Sequence, residues 1–428
     1  MCESQNYHLQ TWLKNKIATL PLEQQLTLKG LKMCARNVLP SNITPSGQSG
    51  VFLLSNGNGD SRFFGHITCK NTWCCPVCTA RVMEKRRQRI GAALDALGDK
   101  LFAFSVTFTI PHLRFQSCHE VTDLLYETWK RFNSMKSLKG KRAKTQFVEP
   151  VQQFFSKIHH FVRVGEYTWG KNGWHPHFHM IFWTDFESAK SIAELKPKLQ
   201  KTWNNEFANV AKGYWKRNNL DRDINKFIDC INHAALKGTS ESVNFSINPD
   251  GSLFRVKSSD YVSGWGGDSE ATGNRQKKAS HADHYTQWQI LELAESDEFF
   301  ANLYIEFCLE TSKHVHQRTA FSKNLKKIID DYINKVGYES ILKKKSIECQ
   351  AFRVVCWFSR EQWSKLCSKS HSVLSNILYL AKFATYNSEK EMILLDYIIS
   401  EIGEVYLPDS NHLSKLVEDM FNPNKKAA

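Results

Sequence analysis

Three histidines occupy alternate positions in Gly173-Trp174-His175-Pro176-His177-Phe178-His179-Met180-Ile181-Phe182, which runs on as an apolar strand. Side chains alternate across a β-strand, so His175, His177 and His179 line one face of a sheet, and such a row can hold a divalent metal. Upstream, Gly170-Lys171-Asn172-Gly173 is a hairpin signal. With Lys171 and Asn172 as the loop, Glu166 falls opposite His177 and Val164 opposite His179. A carboxylate set beside imidazoles offers the oxygen and nitrogen donors of a hard-metal site. Glu166 alone would be read as a cross-strand ion pair; the register favours a ligand.

A second group is built on sulfur. The run Cys69-Lys70-Asn71-Thr72-Trp73-Cys74-Cys75-Pro76-Val77-Cys78 contains a Cys-x-x-Cys turn at Cys75 and Cys78 that brings two thiolates within reach of one zinc ion. Cys69 is a natural third ligand, and Cys34, Cys74 and His66 are candidates for the fourth. A redox pair is the competing reading, but no thioredoxin-like strand and helix surround the motif.

The elements that would position these groups follow from periodicity. Leu101–Ile110 is β-branched and aromatic, ends at Pro111, and puts Ser105, Thr107 and Thr109 on one face. Phe161–Thr168 is the strand facing the histidines. Thr79–Leu97 reads as a basic amphipathic helix with Val82, Ile90, Ala93 and Leu94 on its apolar side. A helix is expected over Cys118–Phe132, a basic linker over 136–145, one helix over Ser188–Trp203 and another over Leu220–Leu236. Val243–Ile247 is strand-like and precedes an Asn248–Gly251 turn. Beyond about residue 285 helices dominate: Thr286–Glu295, Glu298–Thr311, Ser322–Lys335, Arg360–Leu366, Val373–Tyr386 and Ser388–Ile402, with a strand at Phe352–Phe358. His314-Val315-His316 repeats the spaced-histidine pattern without a facing carboxylate and reads as loop or helix-end residues. Asn422–Lys426 reads as a frayed tail.

Composition narrows the class. The chain of 428 residues is long enough for two or three domains. With 57 Lys and Arg against 43 Asp and Glu, its formal charge is +14 and its pI about 9.1. That balance suits a polyanionic partner, nucleic acid before membrane. Arg86-Arg87-Gln88-Arg89 and Lys139–Lys144 concentrate the charge. No apolar run approaches the ~20 residues that span a bilayer, and no signal peptide is evident, so the expected location is cytoplasmic with no membrane role. No Gly-x-x-x-x-Gly-Lys-Ser/Thr motif occurs, so ATP-driven unwinding is not expected of this chain.

Taken in order, Cys69–Cys78, Thr107-Phe108-Thr109, Gly173–His179 and Tyr261–Trp265 resemble the rolling-circle replication initiators of bacterial plasmids, members of the HUH (His-hydrophobe-His) endonucleases. The likeness covers roughly residues 60–290 and, more loosely, 30–60 and 290–400. It implies an α+β fold: a ferredoxin-like antiparallel sheet as the HUH nuclease core, an N-terminal zinc-knuckle region and a mainly helical C-terminal region. The corresponding domains are 1–98, 99–290 and 291–428. It implies Mg²⁺ or Mn²⁺ on His177 and His179, with His175 adjacent and Glu166 as third ligand, and structural Zn²⁺ on Cys69, Cys75, Cys78 and Cys34. Tyr261 would be the nucleophile of a site-specific single-strand nickase, leaving a 5′-phosphotyrosine and a 3′-OH primer. The implied partners are origin DNA, single-stranded or as a hairpin, with host helicase and DNA polymerase acting in trans.

The sequence departs from the pattern twice. Gly264 stands where many members carry a lysine three residues after the tyrosine, and Lys257 and Trp265 stand where a second tyrosine would be. A cation for the scissile phosphate must come from elsewhere, with Lys257, Lys277 and Lys278 as candidates. Two other readings compete: a relaxase or transposase of the same chemistry, and a non-catalytic zinc-stabilised DNA-binding regulator.

Overall fold

The computed structural model describes residues 3–42, 44, 47–140, 144–220, 242–257, 284–313, 318–336, 352–369 and 371–407. The expected helix over 220–236, Tyr261–Trp265, Lys277, Lys278, His314-Val315-His316 and the 422–426 tail lie outside the described residues, save Leu220 itself. The protein is α+β with antiparallel sheets. Contacts group Met1–Val82, Ala294–His314 and Ser346–Ala428 into one compact unit, and Met83–Leu293 with Val315–Lys345 into another.

The first unit is built on a sheet of β1 (Gly50–Ser55), β2 (Ser61–Phe64) and β9 (Arg353–Ser359) in the order β2-β1-β9. β1 is buried at all six positions, as a strand covered on both faces must be. It pairs with β2 through a local turn and with β9 from the far end of the chain, Gly50 opposite Ser359. Tyr7, Phe63, Phe358 and Trp363 meet edge-on or tilted in its core. A Ser359–Gln362 capping box starts the Arg360–Ser368 helix.

The second unit holds β3 (Phe102–Thr109), β4 (Ile158–Gly170), β5 (Gly173–Thr184), β6 (Val243–Phe245), β7 (His284–Thr286) and β8 (Thr319–Phe321). Their order is β6-β3-β5-β4-β7, with β8 also on β4. β5 therefore lies between β3 and β4. The two faces differ in chemistry. One is mainly aromatic, with the Arg163 guanidinium over the Phe178 ring: Phe104, Phe108, Phe178 and Phe182 lie under Trp129, Phe132, Phe154 and Trp203 from the Cys118–Ser134, Val148–Ser156 and Lys196–Arg217 helices. The other is apolar only at one end. There Ala103, Val162, Val164, Ile181 and Trp183 pack with Ile90, Ala93, Leu94 and Leu97 of the Pro76–Leu97 helix and with Leu325 and Ile329 of Lys323–Val336. At its other end the same face turns to threonine, histidine and glutamate.

The expected single helix over Ser188–Trp203 is two, Phe186–Ala193 and Lys196–Arg217, with Pro197 in the first turn of the second. Proline lacks an N–H and disfavours helical conformation in the residue before it, so it starts a helix more readily than it continues one. Among the described residues no helix is long and apolar enough to cross a membrane.

Candidate metal centres

The β4–β5 hairpin places Glu166. Gly170 pairs with Gly173, Glu166 with His177 and Val164 with His179, so glutamate and histidines share a face because directly opposed residues do. The positive φ at the turn falls on Gly173, at 86°, the arrangement of a glycine bulge that finishes a tight reversal. A Cβ at Gly173 would lie 3.0 Å from the Arg114 carbonyl oxygen.

Glu166 Oε2 stands 3.2 Å from His177 Nε2 and 2.9 Å from His179 Nε2. The three side chains keep 9, 10 and 13% of their exposure. Burial pushes the Glu166 carboxyl up, but hydrogen bonds and charge attraction from both histidines outweigh it and hold the group well below the usual carboxylate range. Each ring is steadied by its other nitrogen. His177 Nδ1–H donates to the His175 carbonyl at 3.3 Å, and His179 Nδ1 meets the Thr107 hydroxyl at 3.2 Å. A carbonyl can only accept, so Nε2 is left as the ligand atom of His177. The short contacts to Glu166 are satisfied by N–H donation from Nε2 or by a cation held between the three groups. One carboxylate and two imidazoles with converging lone pairs fit a divalent ion.

His175 stands on the same face but outside this group. Its Nε2 is 3.3 Å from Thr109 Oγ1, and its Nδ1 is 3.3 Å from Nδ1 of His112. Burial first, then the charges of His177, His112 and His284, push it well below the ordinary histidine value. His112 was not anticipated from the sequence. Its signal was present in Pro111-His112, directly after the strand that carries Thr107 and Thr109.

The second group is Cys34, Cys69, Cys75 and Cys78, whose sulfurs all lie within 4.8 Å of one another. Cys34 is 3.5 Å from Cys75 and from Cys78, and Cys69 is 3.5 Å from Cys78. Zinc bonded at about 2.3 Å sets ligand sulfurs about 3.8 Å apart at the corners of a tetrahedron, so the spacing suits that ion. Hydrogen bonding from the Cys69, Cys75 and Cys78 thiols holds Cys34 far below the usual thiol range, while burial pushes Cys75 up. The Cys69 amide donates to Cys34 Sγ and the Cys78 amide to Cys75 Sγ, each at 3.4 Å. The other two candidates point elsewhere: Cys74 Sγ lies 3.6 Å from Thr311 Oγ1, and His66 bonds the Tyr7 hydroxyl and stacks on Trp363.

Fold and sites together define an α+β protein with antiparallel sheets, a four-cysteine cluster able to hold zinc and a buried Glu-His-His group able to hold a metal. A curated protein of Streptomyces lividans, "Protein rep", is 30% identical to this chain over 151 residues, which is 31% of this chain and 33% of that protein. The chain thus spans about a third of the length of the relative it matches. No family model matches, and no solved structure does.

Proposed function

We propose that the protein is a plasmid replication initiator of the HUH class, which nicks and rejoins one DNA strand at the origin. The observation that carries this is the convergence of Glu166, His177 and His179 from two neighbouring strands, β4 and β5, inside an antiparallel sheet. The name of its relative, the motif order and the +14 charge support it. In this reading 99–290 is the endonuclease domain, ferredoxin-like at its core, 1–98 the zinc region and 291–428 the mainly helical remainder.

Glu166, His177 and His179 would hold Mg²⁺ or Mn²⁺, which when bound polarises the scissile phosphate and offsets charge built up in the transition state. The His175 carbonyl and the Thr107 hydroxyl keep the two rings aimed. Tyr261, outside the described residues, is the proposed nucleophile. Its phenolic oxygen loses a proton and bonds to phosphorus while the P–O3′ bond breaks. The departing 3′ oxygen gains a proton. The products are a 5′-phosphotyrosine, which conserves the phosphodiester energy for rejoining, and a 3′-OH that primes synthesis. In this reading unwinding and polymerisation fall to host helicase and polymerase. The zinc cluster is structural in this account.

The test is to incubate the protein and Mn²⁺ with single-stranded oligonucleotides tiled over the origin of the parent replicon. A denaturation-resistant protein–DNA adduct on one tile, lost in Tyr261→Phe and on chelation, is the expected result. No adduct on any tile would leave the non-catalytic regulator as the better account, and an adduct surviving Tyr261→Phe would remove that residue as nucleophile.

A further inference from the structure

The face that carries Glu166, His177 and His179 continues across β4 onto β8. His179 pairs with Val164, and Val164 pairs with Thr319. Opposed residues share a face, so Thr319 stands on the site face two strand spacings, about 10 Å, from His179.

Arg86 reaches this place from the Pro76–Leu97 helix. The second half of that helix is fastened to the apolar end of the same face by Ile90, Ala93, Leu94 and Leu97. Arg86 lies four residues before Ile90, one turn nearer the polar end, and its Nη1 donates to Thr319 Oγ1 at 3.2 Å. Its other close partner is the Met83 sulfur, at 3.8 Å. Among the described residues no carboxylate pairs with it, whereas Arg89, further along the helix, lies 2.8 Å from Asp330. The guanidinium is half-buried, and burial disfavours its charged form. A permanently charged fork kept partly dry, with a hydroxyl and a thioether for company, is stabilised when an anion arrives. Glu166 is already satisfied by its two histidines, and Gly264 removes the lysine expected after Tyr261.

We propose that Arg86 grips a backbone phosphate of the substrate strand next or next but one to the phosphate at the Glu166-His177-His179 site. The identity of that strand rests on the nuclease reading above. Arg86 fixes where the strand lies on the sheet, and so which phosphate meets the nucleophile. The planar fork suits a phosphate held by two hydrogen bonds.

The test is a cycle between protein and DNA. Arg86→Gln is compared with wild type on the single-stranded oligonucleotide that forms the adduct, or on a mixed-sequence strand if none does. Each phosphate in turn is replaced by an uncharged methylphosphonate, and affinity is read by fluorescence anisotropy across a salt series. Arg86→Gln is expected to weaken binding about tenfold and to reduce the slope of log affinity against log salt by about 1. One methylphosphonate near the cleavage position should weaken wild type by a similar factor and leave Arg86→Gln unaffected, a coupling that a merely structural arginine would not produce. If Arg86→Gln fails to fold, Arg86→Lys keeps the charge and carries the same cycle, with a partial loss confined to that phosphate. An unchanged salt slope in Arg86→Gln, or equal losses in wild type and variant at every phosphate, overturns the proposal. Absence of a tyrosine adduct in wild type counts against the nuclease reading alone, because the cycle is read on binding.

Discussion

The two metal-ligating groups are made in opposite ways. Cys69, Cys75 and Cys78 come from one run and Cys34 from well upstream, and together they form a set of four like donors that would leave a zinc ion no free position. Glu166, His177 and His179 come from one hairpin and form a set of three, which would leave a bound divalent ion open positions. A set that a distant ligand such as Cys34 completes would hold a fold together, since it is whole only once the fold has formed. Ligands already gathered by a local hairpin contribute little to the fold, and their open positions are what chemistry needs.

The sharpest way to break that contrast is to remove each group separately. Cys75→Ala, or a strong zinc chelator, should cost about 3 kcal/mol or more and unfold the first unit cooperatively. His177→Ala should leave the thermal midpoint within a few degrees of wild type while lowering the rate of adduct formation about a thousandfold or more. Calorimetry and adduct assays on both variants decide it. A stable Cys75→Ala protein, or a His177→Ala protein that melts early and still cleaves, would erase the distinction.

A smaller effect lies in acid. The folded protein holds Glu166 below its ordinary value of 4.5, so the unfolded chain binds the proton more tightly. The stability this contributes is fully present above that value and is lost as pH falls through the lower, folded one. Glu166→Gln should flatten the acid limb of a stability–pH curve, and an unchanged limb would mean the carboxylate is not held by the histidines.

The smallest effects are at the backbone. Lys70, directly after Cys69, has a φ of 56°, which costs a residue with a Cβ more than a glycine. Lys70→Gly should raise stability by about 0.5 kcal/mol, whereas Gly173→Ala should lower it by about 1–2 kcal/mol, because its φ is positive and its Cβ would press on the Arg114 carbonyl. Paired chemical melts measure both, and a Gly173→Ala protein as stable as wild type would show that the hairpin bends without that glycine.

How far the molecule was legible depends on the range of each interaction. The opposition of Glu166 to His177 was readable because a two-residue loop fixes a hairpin register and side chains alternate with period 2. The fourth sulfur was not. Spacing allowed Cys34, Cys74 or His66, and the choice fell to a turn in which Asn71 Oδ1 accepts from the Trp73 and Cys74 amides while Cys74 turns toward Thr311. The break before Pro197 rests on a single residue inside a longer helical pattern, too weak a local signal to divide that pattern.

Sequence alone determined the chemistry available: three histidines on one strand face, a carboxylate opposite, three cysteines of one zinc-knuckle run and an excess of positive charge. Those follow from local periods and short loops, which a chain expresses wherever it folds. The tertiary structure decided that β1 pairs with β9 from the far end of the chain. It decided too that β8 adds to β4 and that Arg86 is laid against Thr319 beside the histidine face. Such pairings depend on which apolar surfaces bury one another across hundreds of residues, and no local pattern carries that information.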